Sequence, residues 1–306
     1  MATIVTAVTS TPAPRIQSTP DFRREFDLRP FEFDHSLASH PLFEYSRLLR
    51  LAQNTREGRP RDLYYDAGEI RVDQRWDETG PKTISVEQAM ENIESTGAWI
   101  ILKRVERDPE YAQLLRDCMT EVEKYLGRDI SKDLRVAQDG IIFVSSPNRI
   151  TSYHIDRECS FLMQIRGNKS ISIFDRDDRA VLAEEELERF WTIDNNAARY
   201  KPELQEHARV FELRPGTGVH IPVNCPHWLK NGNNVSISFN INFQFKDHLR
   251  ANLYRANFAL RTLGLRPKSP GRSRVGDAIK RTVVGGMVDR AVRVRHTLQN
   301  MTARNA

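Results

Sequence analysis

One segment of the chain alternates strictly between apolar and polar positions. In VSISFNINFQF at 235–245, Val235 and every second residue after it are apolar, whereas Ser236 and every second residue after it are polar. Because successive side chains of a strand point to opposite faces, this pattern predicts a β-strand with one face in the core. In a barrel, the polar face of such a strand can line a pocket instead of meeting solvent.

Short strand-like runs separated by turns begin near residue 139. Gly167 and Asn168 predict a hairpin between two of these runs, and the acidic segment 183–191 predicts a helix outside the sheet. The remaining strand-like runs lie at 141–144, 153–166, 169–174, 210–213 and 219–222. The pattern predicts a mainly β fold with flanking helices, built as a double-stranded β-helix, which is a jelly roll of the cupin type.

Apolar positions that recur every three or four residues predict helices on both sides of these strands. The clearest case lies between Pro109 and Gly127, two residues that suit a helix start and a helix end. We therefore divide the chain into four predicted parts. They are a disordered N-terminal tail (1–30), an α/β flanking region (31–138), the jelly-roll core (139–248) and basic C-terminal helices (249–306).

The composition of the 306 residues, 39% hydrophobic and 28% charged, is typical of a globular protein. No long apolar run or basic-then-apolar leader is present, so we expect neither a membrane span nor a secretory signal. The three cysteines are scattered, which favours reduced thiols and a cytoplasmic location. Residues 246–306 contain fourteen basic and three acidic residues, which is a net charge of +11. Because the net charge of the whole chain is +5, residues 1–245 carry a net charge of −6.

Candidate metal ligands lie at His154 and Asp156, which have the spacing of one face of a strand. Together with His227, they would form a set of two histidines and one carboxylate, which leaves coordination positions open and suits ferrous oxygenase chemistry. Two alternatives remain open: a hydrogen-bonded His–Asp pair that stabilises a strand, and a zinc site that mixes histidine with Cys159 or Cys225.

Lys169 has the same parity as Ile171 and Ile173 in its predicted strand, so its side chain would point inward. An unpaired ammonium group there would be costly, and an anionic ligand would remove the cost. The alternative is that Lys169 projects into water from the end of the strand, beside the turn.

Two motifs together resemble a known family. They are T-x-x-H-x-D-x(3)-S-F-x-x-Q-I-x-G-x-K-x(4)-F, starting at Thr151, and PGTGVHIPVNCPHW, ending at Trp228. Over about 139–246 the chain resembles the JmjC and cupin-like iron(II), 2-oxoglutarate-dependent oxygenases, in particular their asparaginyl hydroxylase branch. The resemblance implies a JmjC-like jelly roll.

The resemblance also implies roles for individual residues. His154, Asp156 and His227 would bind iron, and Lys169 with Thr151 would hold the distal carboxylate of 2-oxoglutarate. Asn242 and Ser160 would lie at the end of the cosubstrate that chelates iron. Ser160 departs from the family pattern, because the asparaginyl hydroxylase has a longer asparagine there. The tyrosine that many members direct at the cosubstrate is not identifiable from the sequence.

The implied activity is that of a dioxygenase, a hydroxylase that uses Fe(II), 2-oxoglutarate and dioxygen on a protein side chain or a small molecule. The alternative is a cupin-like regulatory protein that binds a metal or ligand without turnover. In the resembled branch, C-terminal helices form a homodimer, so the first hypothesis is that the helices here serve in packing or in a homodimer. The basic tail could instead contact nucleic acid, an acidic protein or an anionic membrane surface. It carries no recognised nucleic-acid motif, so nucleic acid is not the expected partner.

Overall fold

The computed structural model describes residues 13–18, 22–76, 78, 84–245 and 249–285. The strands of these residues are β1 (Ile16–Ser18), β2 (Phe31–His35), β3 (Leu63–Asp66), β4 (Trp99–Lys103), β5 (Leu134–Ser145), β6 (Ile150–His154), β7 (Cys159–Arg166), β8 (Lys169–Ile173), β9 (Arg209–Leu213), β10 (Thr217–Ile221), β11 (His227–Asn231) and β12 (Ser236–Phe245). The helices are α1 (Phe22–Glu25), α2 (Tyr45–Gly58), α3 (Val86–Glu91), α4 (Pro109–Leu126), α5 (Glu184–Phe190), α6 (Leu249–Thr262) and α7 (Arg274–Ile279), followed by a π-helical turn (Lys280–Gly285).

The longest helix among the described residues, α4, forms where the sequence carries both end signals. Asp108 accepts a hydrogen bond from the backbone N–H of Glu110, Pro109 occupies the first turn, and Gly127 ends the helix with a left-handed backbone (φ +66°). Its apolar stripe is buried, including Cys118, which is fully buried there. The predicted helix bounds are confirmed.

The strands of the described residues form two antiparallel sheets. The large sheet has the strand order β1-β2-β10-β7-β12-β5-β4-β3, and the small sheet has the order β6-β11-β8-β9. An apolar cluster joins them, with Leu162 and Val219 from the large sheet packed on Ile171 and Leu229 from the small one. The mainly β jelly roll with flanking helices is therefore confirmed.

The alternation in β12 separates two environments. Its apolar residues, such as Phe239 and Phe243, are fully buried in the core beneath α2 and α4. Its polar residues Asn240 and Asn242 line a cavity between the two sheets. The predicted division of β12 into a core face and a pocket face is confirmed.

Two strand predictions are wrong. The predicted strand 153–166 is divided between β6 in the small sheet and β7 in the large sheet, and 155–158 cross between the sheets. The turn at Gly167 and Asn168 exists, with Gly167 at φ +74°, but it joins β7 to β8 in opposite sheets, so it is not a hairpin. Local turn signals show where the chain reverses but not which strand it pairs with next.

The predicted disorder of 1–30 is wrong where the structure describes this part. Residues 13–18 contain β1, and 22–30 contain α1, whose Phe22 is only 1% exposed. The buried aromatic side chain of Phe22 fixes this segment, although the composition of the N-terminal residues favours disorder. The rest of the tail, 1–12 and 19–21, lies outside the described residues, as do residues 286–306 of the predicted C-terminal helices.

The predicted part limits remain predictions, although the one at 139 falls within β5 and strands from the flanking region extend the large sheet. A basic C-terminal helix is present as α6, followed by a linker and α7. No helix among the described residues has the length and apolar character needed to cross a membrane.

Candidate metal centre and its pocket

The three predicted ligands converge at one place. His154 ends β6 and His227 begins β11, and the two residues are paired in register, with ring centroids 4.2 Å apart. Asp156 Oδ2 lies 3.8 Å from His154 Nε2 and 3.6 Å from His227 Nε2. One ligand atom from each residue lies within 4.8 Å of the others. This spacing allows a single metal ion to contact all three.

Both histidines are oriented by local hydrogen bonds. His154 Nδ1 lies 2.7 Å from the carbonyl oxygen of Ser152, and His227 Nδ1 lies 2.9 Å from that of Cys225. When Nδ1–H donates to these carbonyls, each Nε2 keeps its lone pair and faces the shared centre. Burial, and next the neighbouring His154, lower the pKa of His227 to about 4, which keeps its imidazole neutral as metal binding requires.

Asp156 reaches the centre in a different way from the one predicted. It lies in the crossing 155–158 after the end of β6, so the alternation of a strand does not place it. The backbone N–H of Asn224 donates to the Asp156 carbonyl oxygen over 3.0 Å, which ties this crossing to the loop before His227. The side chain of Asp156 is 44% exposed, so it forms the open side of the centre.

Arg157 attaches this crossing to the acidic insert. Its guanidinium lies 5.1 Å from the ring centroid of Phe190 and 5.5 Å from that of Trp191. It also donates to the Phe190 carbonyl oxygen (2.7 Å) and to Asn195 Oδ1 (2.8 Å). The insert lies outside both sheets, as predicted, and Phe190 and Asn195 additionally line the cavity.

The cavity between the sheets has a volume of about 380 Å³. The three ligands line it, and so do the residues predicted to hold the cosubstrate, which are Thr151, Ser160, Lys169 and Asn242. Ser160 and Asn242 are direct partners across β7 and β12. The structure thus brings all seven predicted site residues to one cavity, while their individual binding roles stay predictions.

Lys169 points inward, as the parity of β8 predicts. Its side chain is buried, with the residue 6% exposed, and it takes part in none of the ion pairs among the described residues. Burial lowers its pKa to about 7, because desolvation penalises the charged form. An anion in the cavity would offset this penalty.

The zinc alternative lacks geometric support in the described residues. Cys159 and Cys225 are buried, and neither belongs to the ligand cluster. Cys159 Sγ instead lies 3.8 Å from His220 Nε2. His220 accepts a hydrogen bond from the backbone N–H of Asp27 (2.9 Å), and its Nδ1 lies 3.0 Å from the Ser160 carbonyl oxygen. His220 is therefore a structural histidine.

Sequence reasoning missed part of the cavity wall. Trp99, Ile101 and Lys103 of β4 line it, and Tyr64 of β3 packs on Trp99 with ring centroids 5.9 Å apart. The i, i+2, i+4 spacing in WIILK was the available signal, but the pairing of β4 with β5 was not predictable. Also missed were Trp76, which is 39% exposed, and Glu158, whose pKa is raised to about 7 by burial and by Asp156.

No family model matches the sequence, and no curated protein matches it either. Among solved structures, Escherichia coli YcfD is 16% identical, with a TM-score of 0.49, over 85% of this chain and 62% of that chain. A second structure, YcfD, a ribosomal oxygenase from E. coli, in complex with cobalt and 2-oxoglutarate, is 17% identical with a TM-score of 0.47, over 85% and 61%. This chain therefore spans less than two thirds of those chains.

The topology on its own carries the fold assignment. Two facing antiparallel sheets enclose a cavity, and the His154, Asp156 and His227 cluster lies in it. The chain has a cupin-like jelly-roll fold. Its two histidines and one carboxylate fit Fe(II). Lys169, which is buried and has no ion-pair partner among the described residues, lies beside the cavity and fits an anionic oxo acid such as 2-oxoglutarate.

Proposed function

We propose that this JmjC-like protein is an Fe(II)- and 2-oxoglutarate-dependent dioxygenase that hydroxylates a protein side chain or a small molecule. A single observation carries the proposal: the three-ligand cluster and the buried ammonium of Lys169 lie in the same cavity. A metal-binding protein without a cosubstrate would have no use for a costly buried lysine there.

His154, Asp156 and His227 would hold the metal. Three protein ligands leave other coordination positions free, which is what binding of both an oxo acid and dioxygen requires. The ferrous ion, when bound, supplies the redox chemistry that couples oxidative decarboxylation of 2-oxoglutarate to succinate with hydroxylation of a C–H bond. The neutral His227 and the fixed Nδ1 hydrogen bonds are the contribution of this chain to that site.

Lys169 would pair with the distal carboxylate of 2-oxoglutarate, and the Thr151 hydroxyl would donate a hydrogen bond to the same group. Ser160 and Asn242 would lie beside the end that chelates the metal. Between these ends the cavity wall is apolar, with Leu162 and Leu229 among its residues. Apolar walls would exclude water from the space beside the metal and strengthen the charge pairing at Lys169.

The wider setting also remains a proposal. Buried cysteines in the reduced form favour the cytoplasm. A homodimer through the C-terminal helices would cover apolar side chains that are exposed there, with Leu263 76% and Val275 72% exposed. The mouth of the cavity, beside Trp76 and Phe190, is where a prime substrate would enter.

Succinate formation from 2-oxoglutarate tests the proposal. Protein reconstituted anaerobically with ferrous iron would form succinate once air is admitted, His154→Ala would abolish this turnover, and Lys169→Ala would need much higher 2-oxoglutarate. His207→Ala is the matched control, because His207 lies outside the cavity and pairs with Asp178. If calorimetry shows that neither metal nor 2-oxoglutarate binds, the proposal fails. Binding of both without turnover, even with candidate substrates, would favour the regulatory alternative.

A further inference from the structure

An ion pair outside the cavity holds the loop that leads into His227. Arg176 Nη1 lies 3.4 Å from Asp27 Oδ1, and Arg176 Nη2 donates to the Asp27 carbonyl oxygen over 2.6 Å. Asp27 belongs to the N-terminal segment, and Arg176 follows the end of β8. Arg176 is only 9% exposed, so its side of the pair is shielded from water.

Both members of the pair bind the same residue of the loop between β10 and β11. The backbone N–H of Val223 donates to Asp27 Oδ1 over 3.0 Å, and Arg176 Nη1 donates to the Val223 carbonyl oxygen over 3.0 Å. One ion pair therefore holds both the N–H and the C=O of Val223. Because hydrogen bonds to charged groups are stronger than those between neutral groups, these contacts fix the position of Val223.

The next two residues of the loop reach the proposed metal ligands. The backbone N–H of Asn224 donates to the Asp156 carbonyl oxygen over 3.0 Å, and His227 Nδ1 lies 2.9 Å from the Cys225 carbonyl oxygen. Three consecutive loop residues thus connect the ion pair to the backbone of one ligand and to the ring of another. A shift of Val223 would move both ligands together.

The backbone of Asp27 has an uncommon conformation. Its φ of +53° lies in the left-handed region, which residues other than glycine, asparagine and aspartate seldom adopt. Its backbone N–H donates to His220 Nε2 over 2.9 Å. Such a conformation persists where the surrounding contacts over-determine it, and here Arg176, Val223 and His220 supply those contacts.

We infer that Asp27 and Arg176 are positioning residues for the metal centre, which hold the loop 222–226 so that His227 and Asp156 face one ion. This inference rests on the proposed function only in taking the ligand cluster as a metal site. Since linkage between two binding events is reciprocal, a metal ion at the cluster would also secure the N-terminal segment. That segment would then set the metal affinity without contacting the metal.

Calorimetric titration with Mn(II) tests the inference on the full chain without cosubstrate. Asp27→Gly keeps the left-handed backbone at no steric cost and removes the carboxylate. We expect its Kd for Mn(II) to weaken by about 10-fold or more, the usual effect of losing an outer contact of a metal site. Asp27→Asn tolerates the same backbone and keeps an oxygen that accepts from Val223, so it should retain most of the wild-type affinity.

Arg176→Met tests the pair from the other side, because it removes the donors to Asp27 and Val223 and keeps an unbranched side chain. It should weaken Mn(II) binding as Asp27→Gly does. Arg47→Met is the matched control, since Arg47 pairs with Asp108 over 2.6 Å, its side chain is 13% exposed, and it lies outside the cavity. A loss of affinity caused by general destabilisation would appear in this control as well.

Hydrogen exchange gives a second measurement, which does not depend on affinity. In the wild type, saturating Mn(II) should slow the exchange of backbone amides in 22–29, because the bound metal holds the loop and the loop holds Asp27. The slowing should be smaller in Arg176→Met than in Arg47→Met, because only the first variant lacks the connecting contact.

The outcomes separate the inference from the proposed function. If Asp27→Gly and Arg176→Met bind Mn(II) as tightly as the wild type, or no more weakly than Arg47→Met, the inference is overturned and the metal site stands. Equal slowing of exchange in Arg176→Met and Arg47→Met would overturn the linkage to the N-terminal segment. If the wild type binds no Mn(II), the inference and the proposed function both fail. If Asp27→Gly does not fold, Arg176→Met keeps the test decisive.

Discussion

At the scale of single residues, the buried Lys169 distinguishes this cavity, as a site for a ligand, from the apolar interior of a packed barrel. The folded-state pKa of about 7 lies below the model-peptide value of 10.5, so folding releases a proton between these values. The stability associated with this group is therefore fully present above the unfolded pKa and is lost as the pH falls toward 7. At neutral pH the buried amine of Lys169 therefore lowers the stability of the folded state, and an anionic ligand bound beside it would offset this loss.

Replacing this amine should stabilise the protein without ligand. We expect Lys169→Met to raise the free energy of unfolding at pH 7 by on the order of a few kcal/mol, with a smaller gain at pH 9, where more of the wild-type lysine is neutral. Urea denaturation at both pH values measures the difference. Lys103→Met is the matched control, since Lys103 also lines the cavity but is exposed and should change little.

The same pair of variants tests the anion. Saturating 2-oxoglutarate with Mn(II) should raise the unfolding midpoint of the wild type and of Lys103→Met, because a ligand that binds only the folded state stabilises it. Lys169→Met should show little of this gain. A Lys169→Met protein that is both less stable at pH 7 and equally stabilised by 2-oxoglutarate would contradict the role given to the buried ammonium.

At the scale of elements, local sequence patterns predicted individual strands and helices better than their partners. The alternation in β12 and the periodicity of α4 are repeated signals that packing reinforces, so their bounds and faces were predictable. The parity of β8 placed Lys169 correctly. Asp156 was assigned to the right centre for the wrong reason, because the chain leaves the small sheet after His154 and no short-range pattern reports that crossing.

Long-range pairing explains what the sequence could not supply. The cavity wall formed by β3 and β4 depends on β4 pairing with β5, which is separated from it by α4. The attachment of α5 to the crossing 155–158 depends on Arg157, which nothing in the sequence distinguishes from a surface arginine. Neither contact leaves a periodic signal, since each joins segments about thirty or more residues apart.

The Arg157 attachment gives a prediction about metal affinity. Arg157→Gln removes the stacking on Phe190 and Trp191, which is one of the two attachments described above for the crossing 155–158 that carries Asp156. Loss of such an outer contact typically costs 10–100-fold in metal affinity, so we expect Mn(II) binding to weaken by at least about 10-fold. Calorimetry measures it, with the exposed Arg199→Gln as the control. Equal Mn(II) affinities in the two variants would show that α5 does not support the crossing 155–158.

At the scale of the whole molecule, the N-terminal segment joins parts that are distant in sequence. Phe22 packs on Tyr125 at the end of α4 and on Phe161 of β7, with ring centroids 5.2 and 5.6 Å away. Asp27 accepts from the backbone N–H of Val223 (3.0 Å), and its own backbone N–H donates to His220 (2.9 Å). The segment thus links a flanking helix, the large sheet and the loop that precedes His227.

Replacing the buried Phe22 of this segment should lower the stability of the whole protein in one cooperative transition. Phe22 is 1% exposed, so Phe22→Ala should lower the free energy of unfolding by about 3–5 kcal/mol, the usual cost of such a cavity. Leu28→Ala, at a side chain that is 62% exposed in the same segment, is the matched control and should change little. Circular dichroism and tryptophan fluorescence would follow the same urea titration. If the segment belongs to one cooperative unit with the cavity, both probes shift together to a lower midpoint, whereas separate midpoints in Phe22→Ala would show that the N-terminal anchor unfolds independently of the site.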